Sequence, residues 1–442
     1  MGRRAWWLLG MNLVIPGSAQ VLAGSRRLGR FGLGATVIGW VLVVVAVVMV
    51  ITMGTTGFLG FATQPWALVL LQILIAFYAV LWIVLTLDTL RLTRLVRLDA
   101  AARAGVGIAT AAMLVLVGGG GAYAFMAAGS TNATLDSILA GGPAVPPDAD
   151  GYYNILLIGA DSGADRDGLR PDSTAVLSID ATTGQAMTFG LPRDLFGMPF
   201  ASRGTDDDPD GAVVDTMHEL YPDGYDGHLN SVYTEVEIDH PDFYPGSAPD
   251  SSPGIEATKD AVAGALGITV QYYVLIDMGG FEQLIDALGG VTINVQERLP
   301  ANGDWDDAGN VVVEPDFWIE PGVQTMNGHT ALWYARSRYT TSDYDRMVRQ
   351  REVQEAIIRQ FDPATVFSRF TDVMAAGAAT VRTDIPRDMF ATFLDLAMKA
   401  RDLDLEKIEF TPPTVDPEQP DYAYIQSLVT QSRVRPTPEP ED

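Results

Sequence analysis

Five arginines, Arg336, Arg338, Arg346, Arg349 and Arg351, crowd into sixteen residues of an otherwise acidic region. Arg346, Arg349 and Gln350 stand at i, i+3 and i+4, so a helix would put them on one face. Ser342 and Asp345 fit a capping box that would start that helix at about Asp343. Helix N-terminal amides and guanidinium forks both suit an oxyanion, phosphate above all. Taken alone, the five arginines fit equally well a solvated face paired with surface acids. The acids upstream change the balance. Gly159-Ala160-Asp161-Ser162 closes one apolar run, Arg170-Pro171-Asp172-Ser173 opens a second, and Pro192-Arg193-Asp194 closes a third. Neighbouring strands would bring these ends together, and Asp161 and Asp172 beside Arg170 and Arg193 make a site for Mg²⁺ and phosphate. Magnesium takes one or two carboxylates and fills its shell with phosphate oxygens and water. Each aspartate alone reads as a turn or cap residue.

Other chemistries are poorly represented. The chain of 442 residues has no cysteine, which excludes disulfides, thiolate metal sites and cysteine nucleophiles. His218, His228, His240 and His329 show no metal-ligand spacing and read as solvated. No G-x-S-x-G elbow and no P-loop occurs. Gly118–Gly121 lies inside an apolar run and reads as close helix packing.

The elements that must position these residues fall into two parts of opposite charge. Residues 1–127 hold nine Arg and two Asp, whereas residues 128–442 hold 20 Lys+Arg and 53 Asp+Glu. The acidic part is ill suited to nucleic acid, because phosphate repulsion opposes binding. The first part reads as an all-α membrane region with spans at about 31–53, 67–87 and 105–127, each long enough for a hydrocarbon core of about 30 Å. Residues 5–24 are apolar but interrupted by Pro16-Gly17, and read as a re-entrant or interfacial segment; a fourth span is the alternative. Arg26, Arg27 and Arg30 precede the first span, and Arg91, Arg94, Arg97 and Arg103 precede the third. The positive-inside rule then places 24–30 and 88–104 in the cytoplasm and everything after 128 outside. The expected location is the cell membrane, multi-pass, with an extracytoplasmic domain.

Residues 128–150 are small and polar and read as a linker. The stretch 411–442 reads as a Pro- and acid-rich tail, partly disordered, in which 422–429 could pack. Between them, residues 151–410 alternate strand and helix signals. Strands are expected at 153–159, 174–180, 186–191, 272–277 and 291–295, and helices at 255–266, 281–288 and 344–361, the last with Val348, Val353, Ala356 and Ile357 as its apolar stripe. This pattern predicts an α/β fold, a mixed central sheet covered by helices on both faces in three layers. Residues 198–254, rich in Asp, Pro and Gly, read as a long acidic loop.

The order of the motifs is similar to that of the LytR–CpsA–Psr family of cell-wall glycopolymer transferases. Residues 154–162 (NILLIGADS) resemble its opening strand, 169–173 (LRPDS) its R-S-D-T element, and 191–194 (LPRD) its I-P-R-D. Residues 272–295 follow its middle segment. Residues 327–338 (NGHTALWYARSR) resemble N-G-x-x-A-L-x-Y-A-R-x-R, and 343–350 (DYDRMVRQ) match D-Y-x-R-x-x-R-Q. The resemblance covers roughly 152–361. It departs from the family where Ser162 is followed by Gly163 and where His228 stands in place of a common Lys.

The resemblance implies transfer of a glycopolymer from a polyprenyl-pyrophosphate carrier to a peptidoglycan sugar hydroxyl, forming a phosphodiester. Asp161 and Asp172 would hold Mg²⁺. Arg170, Arg193, Arg336, Arg338, Arg346 and Arg349 would hold the pyrophosphate, supported by Gln350. Arg336, Arg346 and Asp194 would be catalytic, the last by orienting Arg193 or handling a proton. The partners implied are the lipid-linked glycopolymer, peptidoglycan and the bilayer. A polyprenyl-pyrophosphate-binding regulator and a pyrophosphatase are the alternatives.

Overall fold

The computed structural model describes residues 2–139, 142–161, 170–201, 216–245, 251–305, 311–337, 341–360 and 381–433. The chain divides into two compact units, Met1–Ala133 and Thr134–Asp442.

The first unit is helical: α1 (Gly2–Val14), α2 (Ser18–Ala23), α3 (Arg26–Ala62), α4 (Pro65–Thr93) and α5 (Ala100–Ile138). Three helical segments, Arg26–Gly54, Pro65–Arg97 and Ala100–Ala133, are long and apolar enough to cross a membrane. Helix α5 continues through residues 128–138, which the small polar composition alone reads as linker. The apolar N-terminal stretch breaks between α1 and α2, at Pro16-Gly17. Gly17 takes φ 96°, and a Cβ there would lie 2.5 Å from the Leu33 nitrogen, so only glycine lets the break nest against α3. Buried polar groups then fix the break. The Gln20 amide donates to the Leu85 carbonyl at 2.7 Å and to Thr89 at 2.9 Å, and Asn12 donates to Thr86 at 3.1 Å. The amide groups of both side chains are thus satisfied within the helices, while the Asn12 Oδ1 and Gln20 Oε1 oxygens are buried without a hydrogen bond among the described residues. Of the four successive glycines in α5, Gly121 lies closest to α4, where a Cβ would fall 2.7 Å from that of Ala79.

The second unit is built on a six-stranded mixed sheet. Its strands are β1 (Tyr152–Asp161), β2 (Arg170–Asp180), β3 (Ala186–Leu191), β4 (Tyr272–Asp277), β11 (Val381–Thr383) and β12 (Glu406–Glu409), in the order β11-β4-β1-β2-β3-β12. β1 pairs antiparallel with β2 and parallel with β4; β3 pairs antiparallel with β2 and parallel with β12. The alternation of side chains sorts the two faces. Leu156, Ile158, Val176, Phe189 and Leu275 share one core with α7 (Leu229–Asp239), α8 (Pro253–Leu266) and α13 (Tyr422–Ser432). Tyr153, Ile155, Ile179 and Tyr272 share another with α12 (Phe390–Ala400). The result is the expected three layers, α/β/α.

A smaller lobe follows β4. It comprises α9 (Met278–Leu288), β5 (Val291–Val295), the short strands β6 (Leu299–Ala301), β7 (Asp304–Trp305), β8 (Val311–Val313) and β9 (Phe317–Ile319), then β10 (Gly322–Met326) and α10 (Gly328–Arg336). Ile285, Val291, Ile293, Met326, Ala331 and Tyr334 form its core, closed by Val353 and Ala356 of α11 (Asp343–Gln360).

Two expectations need correction, and a third is extended. The stretch 198–254 is not one loop: it holds the single turn α6 (Met217–Leu220) and the eleven-residue α7. Leu229, Val232, Tyr233 and Val236 are buried at i, i+3, i+4 and i+7, a helical stripe masked by the acidic composition around it. Val348 does not belong to the apolar stripe of α11. It is 49% exposed, while Met347 is buried. Finally, α13 extends through Ser432 and buries Ile425 and Val429 against the main core, so the tail supplies part of the fold. Residues 434–442 lie outside the described residues.

Candidate functional site

Because β1, β4, β3 and β12 run in one direction and β2 in the other, the ends of β1 and β3 and the start of β2 meet at one edge of the sheet. Ligands of open α/β sheets bind at such carboxyl ends. There Gly159 pairs with Ser173 and Ala160 with Pro171, so Asp172 is an extra residue, a β-bulge. Pro171 explains it: lacking an N–H, it cannot sustain the ladder. A bulge leaves its extra residue out of the ladder and re-aims it. The Asp172 carbonyl accepts from the Arg346 guanidinium at 3.3 Å, and its carboxylate meets Arg193 at 3.3 Å. Ser173 donates to the Gln350 side-chain oxygen at 2.8 Å, and the Gln350 amide donates to the Ala335 carbonyl at 3.4 Å. Asp161 and Arg170 stand opposite each other in the register.

Helix α11 arrives at this edge by its N-terminus. Ser342 caps it as the sequence predicts: its backbone N–H and hydroxyl donate to Asp345 at 2.8 and 2.7 Å, and the Asp345 N–H donates to the Ser342 hydroxyl at 3.1 Å. These bonds hold the Asp345 carboxyl below the usual carboxylate range. Arg346 and Arg349 are 6% and 5% exposed. Together with Val353 and Ala356 they make the buried face of the helix, a position that a purely apolar pattern assigns to Val348. The Arg346 guanidinium is 3.0 Å from Asp343, and Arg193 reaches the same carboxylate at 3.8 Å. Asp172, Arg193, Asp343 and Arg346 therefore form one alternating network beside a helix N-terminus. Asp343 is the member to which the sequence assigned no role; its place within the D-Y-x-R-x-x-R-Q match was the available signal.

The remaining candidates are placed differently. Arg349 donates to the Tyr334 carbonyl at 3.1 Å, to Thr341 at 2.9 Å and to the Ser337 carbonyl, and so links α10 and the residue after it to Thr341, just ahead of α11. Burial pulls its guanidinium pKa below the ordinary value. Arg336 is exposed at the end of α10, its guanidinium 5.3 Å from the Trp333 ring centroid. Arg338 lies outside the described residues. Asp194 is half-buried, and its Oδ1 makes no hydrogen bond among the described residues. Arg193 is paired with Asp172 and Asp343. Tyr344 sits nearby, its hydroxyl pKa pushed up by burial and then by Asp194, Asp343, Asp416 and Glu418.

Arg351 is structural. It is 1% exposed, pairs with Glu409 of β12 at 3.1 Å and approaches the Thr174 carbonyl at 3.5 Å. Gly190 makes room, since a Cβ there would lie 1.9 Å from the Glu409 carboxylate.

Among the described residues, no three His, Asp or Glu side chains converge to hold a metal by themselves. Of the two carboxylates expected to hold Mg²⁺, that of Asp172 is among the described side chains and that of Asp161 is not. The Asp172 side chain is 35% exposed and spends one oxygen on Arg193, and magnesium needs few protein ligands when phosphate and water complete its shell.

The chain matches the LytR_cpsA_psr family over residues 126–434. Among curated proteins it is 28% identical over 238 residues to a polyisoprenyl-teichoic acid–peptidoglycan teichoic acid transferase TagU of Halalkalibacterium halodurans, covering 53% of this chain and 62% of that protein. It is 25% identical over 288 residues to the protein of the same name from Bacillus mycoides, covering 62% and 77%. It is 26% identical over 241 residues to biofilm regulatory protein A of Streptococcus mutans, covering 53% and 50%. The match thus spans less than two thirds of the first and third of these relatives. Among solved structures, B. subtilis TagV is similar with a TM-score of 0.44 at 20% identity, over 65% of this chain and 99% of that one.

Proposed function

This chain belongs to the LytR–CpsA–Psr family, and we propose on that premise that it transfers a glycopolymer from a polyprenyl-pyrophosphate carrier to a peptidoglycan sugar hydroxyl. The acceptor oxygen attacks the phosphorus attached to the glycopolymer. A new P–O bond forms, the bond to the bridging pyrophosphate oxygen breaks, polyprenyl phosphate leaves, and the acceptor gives up its proton. The observation that supports this reading best is the Asp172–Arg193–Asp343–Arg346 network. Two guanidiniums are held by carboxylates beside the amides of a helix N-terminus. Phosphoryl transfer asks little covalent chemistry of a protein and much positioning and charge neutralisation.

In this reading Arg193 and Arg346 hold the pyrophosphate, and the family resemblance adds Arg170, Arg336 and Arg338 to them. Arg349 and Gln350 keep the two arms of the site in register. Asp194, with an uncommitted oxygen, receives the acceptor proton. Asp161 and Asp172 are the ligands for Mg²⁺, which when bound neutralises charge on the diphosphate. The three apolar helices are membrane spans, with residues 24–30 and 88–104 cytoplasmic, 5–24 re-entrant or interfacial, and everything after 128 outside.

The test uses the full chain in nanodiscs with a short polyprenyl-pyrophosphate-linked saccharide, peptidoglycan fragments and Mg²⁺, followed by mass spectrometry. A phosphodiester-linked saccharide on the glycan is expected, and Arg346→Ala or Arg336→Ala should abolish it without unfolding the domain. Free saccharide phosphate alone would replace transfer with hydrolysis. Bound but unchanged donor would replace it with a regulatory binding role, the reading that the name of the S. mutans relative favours.

A further inference from the structure

Helix α10 presents His329, Trp333 and Arg336 at i, i+4 and i+7, one above another on a single face. His329 is not merely solvated: its Nδ1 lies 2.9 Å from the Glu282 carboxylate of α9, which fixes the imidazole plane. The ring lies 5.7 Å from Phe317 of β9 and meets Trp333 edge-on, 6.5 Å away at 81°. Trp333 leans on the core of the smaller lobe and stays half-exposed. Arg336 closes the run, 5.3 Å from the indole. The turn of α10 that carries Arg336 abuts the anion site, since the Ala335 carbonyl accepts from Gln350, which holds Ser173 of β2.

An aromatic face is electron-rich at its centre and offers nothing to a hydroxyl, but it attracts the weakly positive C–H groups on one face of a pyranose ring. The hydroxyls at the rim of such a ring need charged or polar neighbours: Glu282 and His329 stand to one side of the indole, and the exposed, flexible Arg336 side chain lies over it. We propose that Trp333, with the His329–Glu282 pair, is a stacking platform for a pyranose ring adjoining the reacting phosphate. This rests on the transferase reading above and extends it to a sugar subsite. The ring is either the first sugar of the donor or the sugar of the acceptor.

The experiment is calorimetry on the full chain in nanodiscs with three probes: chitotriose, N-acetylglucosamine 1-phosphate and inorganic pyrophosphate. Trp333→Ala should weaken sugar binding about tenfold, and Trp333→Phe should recover most of it. Pyrophosphate affinity serves as the control for folding. If the acceptor sugar uses the platform, chitotriose binds alongside saturating pyrophosphate and is the probe weakened. If the donor sugar uses it, N-acetylglucosamine 1-phosphate competes with pyrophosphate and is the one weakened. His329→Ala, on an exposed position, gives a second variant that should lower sugar affinity should Trp333→Ala fail to fold. Wild-type protein that binds neither sugar, or Trp333→Ala with both affinities unchanged, overturns the platform. Arg346→Ala separates the two readings: it should lose pyrophosphate and keep chitotriose. Wild-type protein that binds sugar but no pyrophosphate would defeat the transferase site and leave the platform standing.

Discussion

Replacing Arg351 by Met should unfold the second unit at a markedly lower temperature while leaving the anion site's own residues in place. The reasoning begins with burial. The Arg351 side chain is 1% exposed and that of Glu409 17%, at 3.1 Å from each other. The other Glu409 oxygen, Oε2, is buried without a hydrogen bond among the described residues. Removing the guanidinium strands a carboxylate that already lacks full satisfaction. Breaking a buried pair in this way costs about 3–5 kcal/mol, which for a unit of this size is a fall on the order of 10 °C in Tm. Burial already pushes the Glu409 carboxyl up, against the pull of Arg351, and without Arg351 it should rise further. A carboxyl whose folded pKa lies above its unfolded value is least costly below the unfolded value and most costly above the folded one. The Tm deficit of Arg351→Met should therefore be largest near pH 8 and shrink toward pH 5. The assay is thermal unfolding by near-UV circular dichroism across that range, with Arg351→Met/Glu409→Met alongside, which should recover most of the loss. A deficit under about 1 kcal/mol, or a double variant as unstable as the single, would refute the account of a stranded charge.

Three further outcomes follow from the same geometry. Asp172→Asn should raise the Mg²⁺ concentration for half-maximal transfer about tenfold; an unchanged requirement would remove Asp172 as a ligand. Gly190→Ala should destabilise by about 1–3 kcal/mol in chemical denaturation, because the new methyl meets the Glu409 carboxylate; a neutral result would mean that Glu409 has another place to go. Burial works to raise the Asp148 carboxyl, but Arg433, the Tyr152 N–H and Asn154 together hold it below its usual value. Its stabilising effect is therefore present above the unfolded pKa of about 3.9 and lost as pH falls through the folded value. The gap in Tm between wild type and Asp148→Asn should hold from pH 6 to about pH 4 and narrow as the pH falls further, and a constant gap would contradict it.

Strands β1 to β4 were legible because each is a short apolar run ended by Gly, Asp or Pro, and α11 because Ser342 and Asp345 announce its start. The bulge was not legible. Pro171 marks a ladder that must break, but only pairing with β1 shows that Asp172 is the residue left over. Val348 was misplaced because hydrophobicity alone cannot see that Arg346 and Arg349 face inward; they do so because Asp343, Asp172 and the Tyr334 and Ser337 carbonyls satisfy them there. Helix α7 was hidden by its surroundings rather than by its own pattern. Of the candidates, Asp172, Arg193 and Arg346 were legible as a group that the fold brings together. The arginines' division of labour, Arg346 at the anion site, Arg349 on the backbone and Arg351 in the core, depends on partners distant in sequence.

Asp172 and Arg346 are 174 positions apart, and that separation bears on the order of assembly. A chain emerging from its amino end makes β1, β2 and β3 early, yet has only half of the anion site until α11 has been synthesised and docked. Closing so long a loop is entropically costly and comes late in folding. A diphosphate ligand can then bind only the completed unit, and at a hundred times its Kd it would add about 2.7 kcal/mol to the native state alone. The proposed lipid-linked donor would thus act as a check on folding, stabilising copies in which α11 has seated and giving nothing to those arrested before it.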